Sequence, residues 1–442
     1  MRQALSPPIP SMTPQPSTPS DPLANGLGER STEDSDPGEA RKSAAKALDH
    51  SPINHPAVST MANNQDVHQI DVCEFASLSR DDLERWERIR ALRDEFAPPF
   101  FAARFAAAVN AVRGDVLTAV LRSSDGTPLG FFPFHRVGGV GVPAGRFLND
   151  AQNVIAIPGL KIDWTAIAKA AKVRAFNLHA IVGSDPDWVD RYHLQSVKAF
   201  RADLGGDSGD YLRRLEKEHR TIGKQGQKTR KLGREIGPVR LEMDCRCPKI
   251  LEQTIAWKRA QYQRTHILDL FLPEWTRDLI TTLYENSLAQ PGLQLDSAVA
   301  GDDFSNDSLR GICSVLWSGD RPVATHIGMI EHGRLHYWFP TYDPAFARYS
   351  PGTALFTETI RAATQHGIDC VDMGYGEQQY KTKQTGTTTQ VVHGTITDSR
   401  WHRIAFAAEA TMVQALKRVP MKETVKRAIR TINPSAGIKK LK

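Results

Sequence analysis

The sequence predicts an α/β (α+β) fold made of two tandem domains, each a mixed, largely antiparallel sheet flanked by helices. Three observations carry that expectation. The stretch Tyr342 to Lys381, led into by a strand-like run at Leu335 to Phe339, reads as turn, helix and strand. Two hairpin signals, around Ser124-Asp125-Gly126 and Gly319-Asp320, occupy corresponding places in the two halves. The second half also repeats the first in outline: helix, helix, antiparallel hairpin, helix, strand. At 442 residues the chain is too long for one ordinary core, which agrees with two or three domains.

Taken in order, residues 1 to about 65 are rich in Pro, Ser, Asp and Glu and poor in large apolar residues. Such a segment buries too little surface to offset chain entropy, so we expect a disordered tail, with order beginning near Met61. From residue 66 the pattern tightens. Ser79 with Asp82 reads as a helix cap ahead of the periodic Leu83, Trp86, Ile89, Leu92 and Phe96, and Pro98-Pro99 ends that helix. A second helix follows over Phe100 to Val112, then strands at Val116 to Arg122 and Leu129 to Phe134. Trp164 to Val173 reads as a short helix, and Ala175 to Val182 and Val197 to Leu204 as strands. Gly205-Gly206 marks the boundary between a domain of residues 66–205 and one of residues 206–400.

The second domain opens on the most basic stretch of the chain, Tyr211 to Ile236, where Lys and Arg recur every three or four residues and Gly223, Gly226 and Gly233 interrupt helical regularity. A strand at Val239 to Met243, helices over Pro248 to Gln263 and Pro273 to Ala289, and strands at Leu309 to Trp317, Pro322 to Glu331 and Arg334 to Phe339 complete the approach to Tyr342. Ser350-Pro351-Gly352-Thr353 fits a helix start, a hydroxyl cap followed by proline in the first turn. Leu355, Phe356, Ile360 and Ala363 give that helix one buried face, and Gly367 stops it. A short strand, Ile368 to Met373, delivers Asp372 and the Gly374-Tyr375-Gly376-Glu377 turn. A last strand, Gln390 to Thr397, precedes a basic helical tail, 401–442, interrupted by Pro420.

Charge and cysteine content narrow the partners. The net charge of +6 hides an asymmetry: residues 1–70 hold 5 Lys or Arg against 8 Asp or Glu, and the remainder holds 51 against 42. The folded part is therefore basic, which suits phosphate-bearing ligands or an anionic membrane surface. No apolar run approaches the ~20 residues a membrane helix needs, and "MRQALSPPIPSM" lacks the apolar core of a secretory signal, so we expect a cytoplasmic protein, peripheral to the inner face of the membrane if the basic helix 211–236 meets it. Five scattered cysteines argue against a disulfide framework, and Cys245-Arg246-Cys247 lacks zinc-ligand spacing, so no metal is expected.

The segment "YDPAFARYSPGTALFTETI…GIDCVDMGYGEQQYK", with the upstream "RPVATHIGM" and the basic "RTIGKQGQKTRKLGRE", resembles the CelD-like branch of the GNAT acyltransferase superfamily, in which two GNAT-like domains lie in tandem as in FemAB-type transferases. The resemblance covers Tyr211 to Arg400 well and Phe75 to Leu204 in outline. It implies acetyl transfer from acetyl-CoA, as co-substrate, to an amino sugar or related small-molecule or lipid-linked precursor in exopolysaccharide or cellulose-type surface polysaccharide production, with no DNA partner. Two alternatives stand beside it: FemAB-type aminoacyl transfer from a charged tRNA, and a non-catalytic GNAT-fold module binding a nucleotide or an envelope assembly partner.

In this family the CoA pyrophosphate lies on amides at the start of the helix after the central strand. Here that start is Ser350, Gly352 and Thr353, with Arg348 placed to pair with a phosphate. "RYSPGT" is one residue shorter than the usual loop, and its proline removes an N–H donor. Acyl transfer to an amine also needs a base and an acid. Asp372 and Glu377 are base candidates and Tyr380 the acid candidate. Lys381 is an electrostatic contact to substrate phosphate, and His326, His336 and Trp338 lie on strands expected to face the same cleft. Each also has a structural reading: Asp372 as the cap of its turn, Tyr380 as an anchor of the sheet, and His336 as a satisfied core histidine.

Overall fold

The computed structural model describes residues 66–285, 308–376, 378–399 and 401. The expected disordered tail, the basic C-terminal helix beyond Trp401, the end of the helix drawn to Ala289, and Glu377 lie outside the described residues.

The first half comprises β1 (Gln69–Glu74), α1 (Arg80–Arg90), α2 (Ala103–Arg113), β2 (Leu117–Arg122), β3 (Pro128–Val137), β4 (Val140–Pro143), β5 (Ile155–Ala156), α3 (Trp164–Ala170), β6 (Phe176–Ile181), α4 (Pro186–Tyr192) and β7 (Gln195–Asp203). Local chemistry places these boundaries. Ser79 and Asp82 exchange side-chain and backbone bonds as a capping box for α1. Asp163 accepts from Thr165 and Ala166 at the start of α3, and Gly114, at φ 68°, closes α2 in the left-handed region.

The second half comprises α5 (Ser208–Glu218), α6 (Arg220–Gly223), α7 (Gln225–Glu235), β8 (Val239–Glu242), α8 (Pro248–Arg264), α9 (Glu274–Glu285), β9 (Arg310–Ser318), β10 (Arg321–Glu331), β11 (Arg334–Tyr342), α10 (Pro351–Ala363), β12 (Cys370–Tyr375), α11 (Gln379–Gln384) and β13 (Thr387–Ile396). The basic stretch is three helices, broken at His219 and Lys224 rather than at Gly226 or Gly233, which sit inside α7.

The fold is mixed α/β and its sheet mostly antiparallel, as expected, but the two halves share one sheet. Its order is β1-β2-β3-β4-β6-β13-β7-β12-β11-β10-β9-β8, with β5 paired to β3. The halves exchange strands at the centre. β13 of the second half pairs antiparallel with β6 of the first, and β7 of the first half inserts between β13 and β12 of the second. Among the described strands, β4–β6 and β11–β12 pair in parallel.

The core follows the same logic. One buried cluster joins Trp86, Phe96, Phe105 and Phe131 of the first half to Leu251, Trp275, Val315 and Phe339 of the second. Buried Arg90 of α1 reaches across to Glu331 at the end of β10, with both guanidinium nitrogens on its carboxylate at 3.0 and 2.5 Å. Among the described residues no helix is long and apolar enough to cross a membrane.

Candidate active site

The site forms where two parallel strands part. β11 and β12 pair at Arg334 with Cys370, Leu335 with Val371 and His336 with Asp372. Beyond that point β11 runs on to Tyr342 beside β10, while β12 kinks at Gly374 (φ 67°) and rejoins β7 at Tyr375 opposite Ala199. The kink is a β-bulge: an extra residue bends the strand and frees its edge. Strand amides and carbonyls on the inner edges of this fork are thereby released from each other.

His336 sits at the crotch, 1% exposed. Its Nε2 lies 3.3 Å from Asp150 Oδ2 and its Nδ1 3.9 Å from Asp372 Oδ1, and neither nitrogen makes a well-directed hydrogen bond. Phe100 meets the ring edge-on at 4.7 Å, and Trp338 lies at 6.0 Å. Asp372 does cap its turn, accepting the Gly374 N–H at 2.8 Å.

Asp150 comes from the first half, in a loop held rigidly by its neighbours. Asn149 donates to Ala144 O, Gln152 donates to Asn149 O, and Asn153 donates to Val182 O. The Gln152 side chain also bonds His179, through its amide to Nε2 at 2.8 Å and through its carbonyl to the His179 backbone N–H. These bonds fix the backbone on both sides of Asp150, whose negative charge reaches most of the site. After desolvation, it is the principal influence raising the phenols of Tyr375 and Tyr380. Tyr380 is pushed up to about 12, although the residue as a whole is 44% exposed.

Two buried lysines face the prongs of the fork. Lys381, on α11, donates to Tyr375 O on β12 at 2.7 Å. Lys258, on α8, donates to Pro340 O on β11 at 2.8 Å. Burial lowers the affinity of both amines for their protons, and the charge of Lys381 lowers Lys258 further, to about 8.

His326 is not part of this arrangement. Along β11, Tyr337 alternates with His336 and Trp338 and so points to the opposite face. His326 stacks on Tyr337 at 4.0 Å, with Nδ1 3.2 Å from Ser314 Oγ. Burial, then the neighbouring His336, pulls its pKa down to about 3, so it is a neutral core histidine.

The start of α10 departs from the expected cap. Ser350 is left-handed (φ 53°, ψ 55°), and its side chain makes no cap bond. A capping hydroxyl needs extended backbone to fold back over the first turn, which this conformation prevents. The hydroxyl instead accepts from Lys228 of α7 at 2.8 Å. Gln225 of α7 donates to Tyr349 O, and Arg348 reaches Glu235 of α7 at 3.1 Å. The basic helix α7 is thus docked on this helix start. The Thr353 and Ala354 amides bond to Ser350 O and Pro351 has none, so the first turn presents the Gly352 amide. A Cβ at Gly352 would meet only Tyr342, at 3.6 Å. Lys228 stands beside this helix start, its ammonium on the Ser350 hydroxyl.

Residues 224–382 match the family model described as acetyltransferase (GNAT) domain. That segment is a GNAT acetyltransferase domain. The match takes in the α10 start, the fork and both lysines, and it makes the chain an acyltransferase. Solved structures similar to the chain include L-PGS from Bacillus licheniformis (12% identity, 76% of this chain and 97% of that chain, TM-score 0.43) and FemX (10% identity, 68% and 92%, TM-score 0.42). A tandem GNAT protein from the clavulanic acid biosynthesis pathway is also similar (10% identity, 74% and 97%, TM-score 0.41). Among curated proteins no sequence matches this chain.

Of the residues expected from sequence, the GNAT domain's fork brings together His336, Trp338, Asp372, Tyr380 and Lys381. Arg348, Ser350, Gly352 and Thr353 cluster at the α10 start. Asp150 and Lys258 were not expected. Nothing in "FLNDAQN" marks Asp150, because its role depends on a contact 186 positions away along the chain. Lys258 did leave a signal: it falls between Thr254 and Tyr262 on the buried stripe of α8, where a lysine has no reason to be. Among the described residues no group of three or more His, Cys, Asp or Glu is arranged to hold a metal ion.

Proposed function

We propose that this acyltransferase moves an acetyl group from acetyl-CoA to the amine of an amino sugar or related precursor of a bacterial surface polysaccharide. The observation that carries the reading is His336 at the fork, backed by Asp150 and beside Asp372. The residues at the α10 start fit the donor's phosphates: the Gly352 amide and the helix dipole offer partial positive charge, and Lys228 adds a full one. Acetyl-CoA supplies the activated acyl carbon.

In the reaction the acceptor nitrogen forms a bond to the acyl carbon as the carbon–sulfur bond breaks. His336, its Nε2 3.3 Å from the Asp150 carboxylate, takes the proton the amine sheds. Tyr380 gives a proton to the departing thiolate, and its raised pKa keeps it protonated for that role. The phenol is restored from solvent, to which the residue is open. Asp372 holds the kink at Gly374 and keeps the fork open. The basic face of α6 and α7, where Arg220, Lys224, Arg230 and Arg234 are exposed, draws phosphate-bearing substrates or an anionic membrane surface toward the site.

Labelled acetyl-CoA incubated with amino-sugar precursors tests this. We expect N-acetylated product, a fall in kcat of roughly 10²- to 10⁴-fold in His336→Gln and Asp150→Asn, and CoA binding by calorimetry retained in both. Absence of both transfer and CoA binding would overturn the proposal. Activity lost on RNase treatment would point instead to aminoacyl transfer from a charged tRNA.

A further inference from the structure

Arg90, 6% exposed, is held by the Glu331 carboxylate on both of its terminal nitrogens. Lys258 and Lys381, 9% and 6% exposed, are treated differently. Each donates one hydrogen bond to a backbone carbonyl, Pro340 O and Tyr375 O, one on each prong of the fork. A carbonyl satisfies a donor but cancels no charge. Among the described residues neither ammonium has a carboxylate within ion-pair contact, and the two repel each other. Asp150 and Asp372 both act on Lys381, whereas Lys258 has the charge of Lys381 and the face of the Tyr262 ring, 5.4 Å away, beside it.

An unpaired buried cation is costly, and two beside each other more so, unless something anionic joins them. Each ammonium has three N–H donors and has spent one on a carbonyl. We propose that the acceptor is an amine that also bears an anionic group, a carboxylate or a phosphate, and that Lys258 and Lys381 jointly receive that group. This rests on the acyl-transfer reading and adds the chemistry of the acceptor to it. With the anion held by the two lysines, the amine of the same molecule is directed to Asp150 and His336. A neutral amino sugar leaves both ammoniums uncompensated and is discriminated against.

Calorimetry on the full chain without acyl donor tests this, with glucosamine, glucosamine 6-phosphate and 2-amino-2-deoxyglucuronic acid as probes. We expect one anionic probe to bind at least about 10-fold more tightly than glucosamine, the scale of a hydrogen bond to a charged group. Which one it is separates phosphate from carboxylate recognition. In Lys258→Met and in Lys381→Met the ratio of anionic to neutral affinity falls toward one. If a methionine variant fails to fold, Lys258→Gln, which keeps a donor for Pro340 O, reads the same ratio. Equal affinity for all three probes, no binding of any, or a wild-type ratio in the variants overturns the proposal. Acyl transfer to glucosamine without anion preference would overturn it while leaving the acyltransferase reading intact. Binding of an anionic probe without any transfer would do the reverse.

Discussion

Lys258 is held buried at the expense of stability. Its amine holds a proton less tightly when folded, near pH 8, than its ordinary value of 10.5. Between those values the unfolded chain keeps a proton that the folded chain has released, so this group adds stability as pH rises from about 8 toward 10. Below 8 it is a buried charge with no carboxylate in ion-pair contact among the described residues. We therefore expect Lys258→Met to be the more stable protein at pH 7.5, and the wild type to gain on it by pH 9.5, read as urea midpoints at the two pH values. A gap that does not change with pH would refute the assignment of a depressed pKa. Lys381 is shifted the same way by burial. At this scale the sequence was partly legible: His336, Asp372, Tyr380 and Lys381 were all expected near one cleft. His326 was misplaced because strand alternation is read within one strand, whereas β10 changes its register against β11 at a bulge between Ile327 and Met329.

At the scale of elements, the fork depends on Gly374. Its φ of 67° is one that residues with a Cβ seldom adopt, and a Cβ there would fall 2.7 Å from Asp150 Oδ2. Gly374→Ala should cost roughly 1 to 3 kcal/mol in backbone strain, measured by urea denaturation. It should also displace Asp150 from His336, so that kcat falls far more than the loss of folded protein explains. A variant destabilised yet fully active would show that the Asp150 contact is dispensable. The kink was announced by "GYG", but its partner was not, because the loop carrying Asp150 approaches from the other half. The α10 start teaches a related lesson. Ser-Pro-Gly correctly signals a helix N-terminus, yet the left-handed Ser350 and the docking of α7 decide what its hydroxyl and Arg348 touch.

At the scale of the whole molecule, the proposed site needs both halves, since Asp150 and His336 belong to different ones. Strand exchange through β7 and β13 and a shared apolar core hold them in register. The Arg90–Glu331 pair joins them at a buried point, where removing one partner strands the other charge. Glu331→Gln should cost about 3 to 5 kcal/mol, seen as a lower urea midpoint. A loss below 1 kcal/mol would show that the pair contributes little to holding α1 against β10.

The sequence by itself determined the order and type of most of the longer described elements, though not β1, β4, β5, α4 or α11, because helix caps, glycine stops and apolar periodicity are local signals carried within ten or twenty residues. It also placed the strand–helix–strand unit that became the heart of the GNAT domain. Tertiary structure alone decided that the two halves share one sheet, that Asp150 lies against His336, and that Lys258 and Lys381 face the fork without, among the described residues, a carboxylate in ion-pair contact. Those facts arise from pairings between residues more than a hundred positions apart, whose free energy depends on burial and mutual charge rather than on any pattern along the chain.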